Sequence, residues 1–100
     1  MPRIVFEINY DIKPDTRDAY LETVKELSEH LKSSGKNYRV IEDMNTENNF
    51  TEVYILNDEA EYEAMDDETD DRTQELTTKI LSEFVSGNSK YSTFREVMAN

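Results

Sequence analysis

The chain has 100 residues, 36% of them apolar, 34% charged and none cysteine; this leaves room for one hydrophobic core and excludes disulfide and thiolate chemistry. Its 23 acidic side chains against 11 basic ones give a net charge of −12, which repels nucleic acid and anionic membrane surfaces. No apolar run approaches the roughly 20 residues that span a bilayer and nothing resembles a signal peptide, so the expectation is a soluble, cytoplasmic protein with one domain over 1–100.

The chain opens on Arg3-Ile4-Val5-Phe6-Glu7-Ile8-Asn9-Tyr10-Asp11-Ile12. Alternation of this kind is a strand with one apolar face, Ile4 to Ile12, and a second face carrying Val5, Glu7, Asn9 and Asp11. Lys13-Pro14-Asp15-Thr16 then starts a helix, because proline in a first helical turn lacks an N–H that would be unpaired there anyway. Tyr20, Val24, Leu27 and Leu31 recur at helical spacing, and Gly35 is the expected left-handed stop. Two β-rich runs follow, Tyr38 to Met44 and Phe50 to Leu56, joined by the turn-forming Asn45-Thr46-Glu47-Asn48-Asn49 as an antiparallel hairpin. Both faces of these runs hold apolar residues; Tyr38, Val40 and Met44, with Tyr54 or Val53, are the candidates for burial.

Asp58-Glu59-Ala60-Glu61 reads as a capping box opening a short helix near 58–65, and Leu76, Ile80, Leu81, Phe84 and Val85 mark a longer helix near 70–86 ending at Ser86-Gly87. Tyr91 to Val97 supplies a fourth strand. The order β-α-β-β-α-β, with right-handed crossovers, predicts a ferredoxin-like α+β fold, a four-stranded antiparallel sheet with its helices on one face. The other face is left open, and Val5, Ile41 and Ile55 on it favour a cover.

The first strand running into Ile12-Lys13-Pro14-Asp15, the helix from Thr16-Arg17-Asp18-Ala19-Tyr20, and Tyr54-Ile55-Leu56-Asn57 followed by Asp58 to Met65 together resemble the antibiotic-biosynthesis-monooxygenase-like group of the dimeric α+β-barrel superfamily. That resemblance implies a homodimer in which two open sheet faces close on each other. Enzymes of the group use an Asn on the helix-facing side of the first strand, a Trp near the end of the third, and a His on the short helix. The chain departs from each: Asn9 points the other way, there is no Trp, and the place of the His falls at about Met65. Haem degradation is therefore not expected.

His30 is the single histidine. It sits late in the first helix, where a surface histidine is the ordinary explanation and a catalytic base the sharper one, with no nucleophile beside it. The run Asp58 to Asp71 holds nine acids in fourteen residues. Its Asp66, Glu68 and Asp70 alternate as in a calcium loop, but Asp71 and Thr77 stand where that loop needs Gly and Glu, so no metal site is expected. Glu7, Asn9 and Asp11 read as an interface network with Arg39 or Arg95, depending on register. Phe6, Tyr10, Tyr20, Tyr38 and Tyr54 gather between sheet and helices, first of all as a core; with His30 they are the candidate ligand-binding residues.

Three functions fit. The first is a homodimeric barrel protein without a recognisable catalytic set, taking a small apolar molecule between sheet and helices and needing no cofactor. The second is a cofactor-independent monooxygenase acting on an aromatic or quinol substrate. The third is a monomeric ferredoxin-like module whose open sheet face binds another protein.

Overall fold

The computed structural model describes residues 2–65, 67 and 69–98. Strand β1 (Ile4–Ile12) is followed by a 3-10 turn at Pro14–Thr16, helix α1 (Arg17–Ser33), strands β2 (Asn37–Glu42) and β3 (Asn49–Leu56), helices α2 (Glu59–Glu63) and α3 (Asp71–Lys79), and strand β4 (Val85–Arg95). The four strands form one sheet in the order β2-β3-β1-β4, every neighbouring pair antiparallel. This is the ferredoxin-like α+β arrangement, with helices on one face of the sheet.

Helix α1 turns Tyr20, Val24, Leu27 and Leu31 inward and buries all four. Gly35 ends it at φ +76°, a left-handed conformation available to glycine at little cost. Both later helices start on aspartate caps: Asp58 accepts from the Glu61 N–H and Asp70 from the Thr73 N–H. The longer helix predicted to run to residue 86 is shorter. After Lys79 the backbone widens into a π turn, Ile80–Phe84, which buries Ile80 and Phe84 and feeds straight into β4.

Strand β4 consequently begins at Val85 rather than at Tyr91, and Gly87 lies within it instead of closing a helix. The β1–β4 register slips between Asn9 and Asp11, so that residues 87–89 stand opposite Tyr10. Gly87 takes φ +77° in this bulge.

Register assigns the faces that sequence alone left open. Phe6 pairs with Tyr54 and Tyr54 with Tyr38; Tyr10 pairs with Phe50. These rings and Ile12 join Leu27, Leu76 and Ile80 in the core beneath the helices. One expectation for the hairpin fails: Met44 lies in the turn and is 99% exposed. Of the alternatives Tyr54 and Val53, Tyr54 points in and Val53 to the outer face. Strand β2 ends at Glu42, and the Asp43 N–H closes the hairpin on the Asn49 carbonyl at 3.0 Å, which leaves Met44 in the turn; the Glu42 carboxylate accepts from Arg17 and from the Asn48 N–H.

On the outer face Asn9 donates to Asn49 Oδ1 at 2.9 Å and to Thr51 Oγ1 at 3.0 Å, and Asn49 donates to Asp11 at 3.1 Å. Asn9 and Asp11 of the β1 polar stripe are thus partnered by amide and hydroxyl groups of β3 rather than by arginine. Arg95 pairs with Ile4 in register, which sends it to the helix side, where it lies 3.5 Å from Glu59. Arg39 shares the outer face but stands across β3 from Glu7. Ile41 and Phe94 on that face are each more than half exposed.

Candidate functional site

The inner face divides into a filled half and an open half. The filled half is built on a carboxylate. Alternation along β3 turns Phe50, Glu52, Tyr54 and Leu56 inward, so Glu52 enters the core and is 3% exposed. Tyr10 donates its hydroxyl to Glu52 Oε2 at 2.7 Å, and Tyr38 donates to Oε1 at 2.6 Å. The Tyr20 hydroxyl lies 2.7 Å from that of Tyr10, and its hydrogen completes the chain, since Tyr10 has spent its own on Glu52. Each carboxylate oxygen is satisfied by a short charge-assisted bond, while no cation joins them among the described residues. Burial accordingly pushes the Glu52 pKa up, against the two tyrosine bonds that pull it down. Tyr10 and Tyr38 move up as well, by burial and by the neighbouring Glu52 charge.

Tyr20 packs on Phe50 with ring centroids 4.6 Å apart, and Tyr38 on Tyr54 at 4.8 Å. Tyr10, Tyr20 and Tyr38 are buried in the same core cluster and do not line the open half. Tyr10, Tyr20 and Tyr38 therefore form a core with an internal polar seam, not a pocket wall.

The open half is a cavity of about 340 Å³ near the α1 C-terminus, within the range of small-molecule sites. Its sheet wall is apolar and aromatic, made by Phe6 and Ile8 of β1, Tyr54 and Leu56 of β3, and Tyr91 of β4. Tyr91 stacks beside Phe6 with centroids 6.2 Å apart. Leu31 and Ser34 close one end, with Lys36 and Asn37 beyond them. The helical wall comes from Glu61, Met65, Asp70, Thr73, Thr77 and Leu81. Thr73 and Thr77, one helical turn apart, put adjacent side chains on the same α3 face.

His30 does not line this space. Its Nε2 lies 2.9 Å from Asp70 Oδ2, so it ties the end of α1 to the cap of α3, and Asp70 in turn lines the cavity. The Thr73 N–H and hydroxyl, followed by His30, hold the Asp70 carboxyl down at about 2.

Of the six residues singled out from sequence, Phe6 and Tyr54 thus line the cavity, Tyr10, Tyr20 and Tyr38 lie in the filled core, and His30 stands behind the wall. Glu52 escaped notice because the buried face of β3 was left undecided; the alternation Phe50, Glu52, Tyr54, Leu56 carries the signal. Thr73 and Thr77 escaped because threonine on a helix has no distinctive pattern. Of the alternating acids considered as a calcium loop, Asp66 and Glu68 lie outside the described residues, and Asp70 serves as a helix cap.

No protein-family model and no curated protein matches the chain. Solved structures do. A conserved protein from Methanosarcina mazei Go1 superposes with a TM-score of 0.78 at 21% identity, covering 96% of this chain and 94% of that one. A structure named antibiotic biosynthesis monooxygenase gives a TM-score of 0.78 at 18% identity, over 95% and 99% of the two chains. A candidate antibiotic biosynthesis monooxygenase from Caulobacter crescentus CB15 gives 0.80 at 12% identity, over 97% and 92%. The fold is antibiotic-biosynthesis-monooxygenase-like.

Within that monooxygenase-like fold the helix-facing positions of β1 are Ile4, Phe6, Ile8 and Tyr10, and Asn9 bonds to β3 on the opposite side. Met65, at the place where the resemblance implies a histidine, lines the cavity with a thioether. The described cavity lining therefore contains no imidazole. What it offers chemically is an apolar sheet wall opposite a helical wall that mixes Met65 and Leu81 with the oxygens of Glu61, Asp70, Thr73 and Thr77.

Proposed function

We propose that the protein is a homodimeric α+β-barrel of one domain over 1–100 that holds a small apolar molecule between sheet and helices, without a catalytic set of its own. The observation that carries this reading is the cavity of about 340 Å³ bounded by Phe6, Ile8, Tyr54 and Tyr91. Apolar walls of this kind, exposed to water in the absence of an occupant, gain by covering ring-sized apolar surface, roughly 25 cal/mol for each Å² removed from water. The residues that would contact the ligand are Phe6 and Tyr54. Tyr10, Tyr20, Tyr38 and His30 act behind them, by holding the sheet and α3 in place.

The test is binding of a neutral two-ring hydrocarbon, methylnaphthalene, followed by ligand-observed NMR. Saturable binding to the parent protein is expected, with strong weakening in Ile8→Trp, whose larger ring fills the space from the sheet side. Circular dichroism checks that the variant is folded. Equal binding to both proteins places the ligand elsewhere and sinks the reading.

A second reading, a cofactor-independent monooxygenase, draws on the likeness to structures named as monooxygenases. In such a reaction the substrate itself supplies electrons to oxygen, and Tyr54 would position it. Oxygen uptake on adding hydroquinones, lost in Tyr54→Phe, supports this reading; no uptake across a panel discards it. The monomeric interaction module is separated from both by light scattering, which reads the mass of the species in solution.

A further inference from the structure

The polar groups of the cavity have a common bias, which bears on the head group of its occupant and rests on the reading of the cavity as a ligand site. Thr77 donates its hydroxyl hydrogen to the Gln74 carbonyl at 3.1 Å. Thr69, also in the lining, donates to the Met65 carbonyl at 2.8 Å. The Thr73 N–H donates to Asp70 Oδ1 at 2.7 Å. The hydrogens of Thr69 and Thr77 are therefore committed, which leaves their oxygens as acceptors. Glu61 and Asp70 add two carboxylates, which only accept when ionised, against one lysine, Lys36, in the lining.

We propose that the cavity takes an organic amine with a ring-sized apolar body, its ammonium group against Glu61, Asp70, Thr73 and Thr77 and its body against Phe6 and Tyr54. An ammonium brings three N–H donors and no acceptor, the complement of that wall. A net charge of −12 also concentrates organic cations around the molecule and depletes anions. A carboxylate head would meet lone pairs with its own lone pairs, and an uncharged hydrocarbon would bring no donor to them.

Four probes sharing one naphthalene body test this: methylnaphthalene, naphthylmethanol, naphthylmethylamine and naphthoate, titrated by calorimetry or NMR at low and high salt. The amine is expected to bind tightest, about tenfold or more over naphthoate, and to weaken as salt is raised. Thr77→Val keeps the shape but removes an acceptor, and is expected to reduce the preference for the amine over methylnaphthalene roughly three- to tenfold. Naphthoate or naphthylmethanol binding as tightly as the amine overturns the head-group assignment while leaving the cavity intact. An amine preference indifferent to Thr77→Val overturns the assigned seat. Failure of all four probes overturns the cavity reading, and this inference with it.

Discussion

Glu52 is the residue whose placement matters most for the energetics of the fold. A carboxylate 3% exposed, with two tyrosine donors and no cation on it among the described residues, is more costly to ionise inside the protein than in water. Its pKa lies above the ordinary value of 4.5 in the folded state, so over that interval the folded protein holds more protons than the unfolded chain. Stability from this group is present below the ordinary value and is lost as pH rises through the folded one. Glu52→Gln removes the titration. Urea denaturation of the two proteins from about pH 4.5 to about pH 8 should show the variant gaining on the parent as pH rises; parallel curves would refute the account. The alternation that buries Glu52 was legible, but the residue type argued against it. A glutamate in a strand is normally assigned to water, and only the convergence of Tyr10 and Tyr38 reverses that preference.

Among the elements, two joints carry separable predictions. Arg17 at the start of α1 donates both terminal nitrogens to Glu42 of β2, at 2.6 and 2.8 Å, and its guanidinium lies 5.5 Å from the Phe50 ring centroid. The Arg17 bonds, then that of the Asn48 N–H, hold Glu42 down at about 2. The sign is opposite to that of Glu52: stability is present above 4.5 and is lost as pH falls toward 2. Arg17→Met preserves much of the stem packing and should flatten this acid limb, measured as urea midpoint against pH. An unchanged limb would assign it to other carboxylates.

Gly87 is the second joint. A Cβ there meets nothing within 4 Å, so the cost of Gly87→Ala is confined to the backbone at φ +77°. About 1–2 kcal/mol of destabilisation is expected from the urea midpoint, with an unchanged m-value. A neutral result would show that the bulge relaxes. Helix α1 and its Gly35 stop could be read from periodicity. The π turn and the early start of β4 could not, because Leu81, Phe84 and Val85 suit a continuing helix as well as they suit a turn into a strand.

At the scale of the whole molecule, the sheet is covered by helices on one side only. Its outer face joins Ile41 and Phe94, each more than half exposed, to the Asn9–Asn49–Thr51 cluster. We expect two copies to close over this face. Light scattering should read twice the 11.7 kDa of the chain, and Phe94→Asp should shift the mass toward one copy while leaving the circular dichroism unchanged. A parent protein that runs as a single copy would discard the barrel. The same closure would leave the cavity, on the opposite face, facing the helices of its own chain.

The sequence by itself determined the element order, the amphipathic first helix, the antiparallel hairpin and hence the sandwich, because periodicity and turn chemistry act over a few neighbouring residues. Fold and two members of the cavity wall, Phe6 and Tyr54, followed from that local information. Register decided the rest. A one-residue choice on β3 sends Glu52 and Tyr54 inward instead of Val53, and pairing alone sends Arg95 away from the polar stripe of β1. The division between a tyrosine-filled core and an open cavity was likewise decided in three dimensions. It depends on where α3 and the π turn cross the sheet, a relation between residues some 70 positions apart in the chain, such as Ile8 and Thr77.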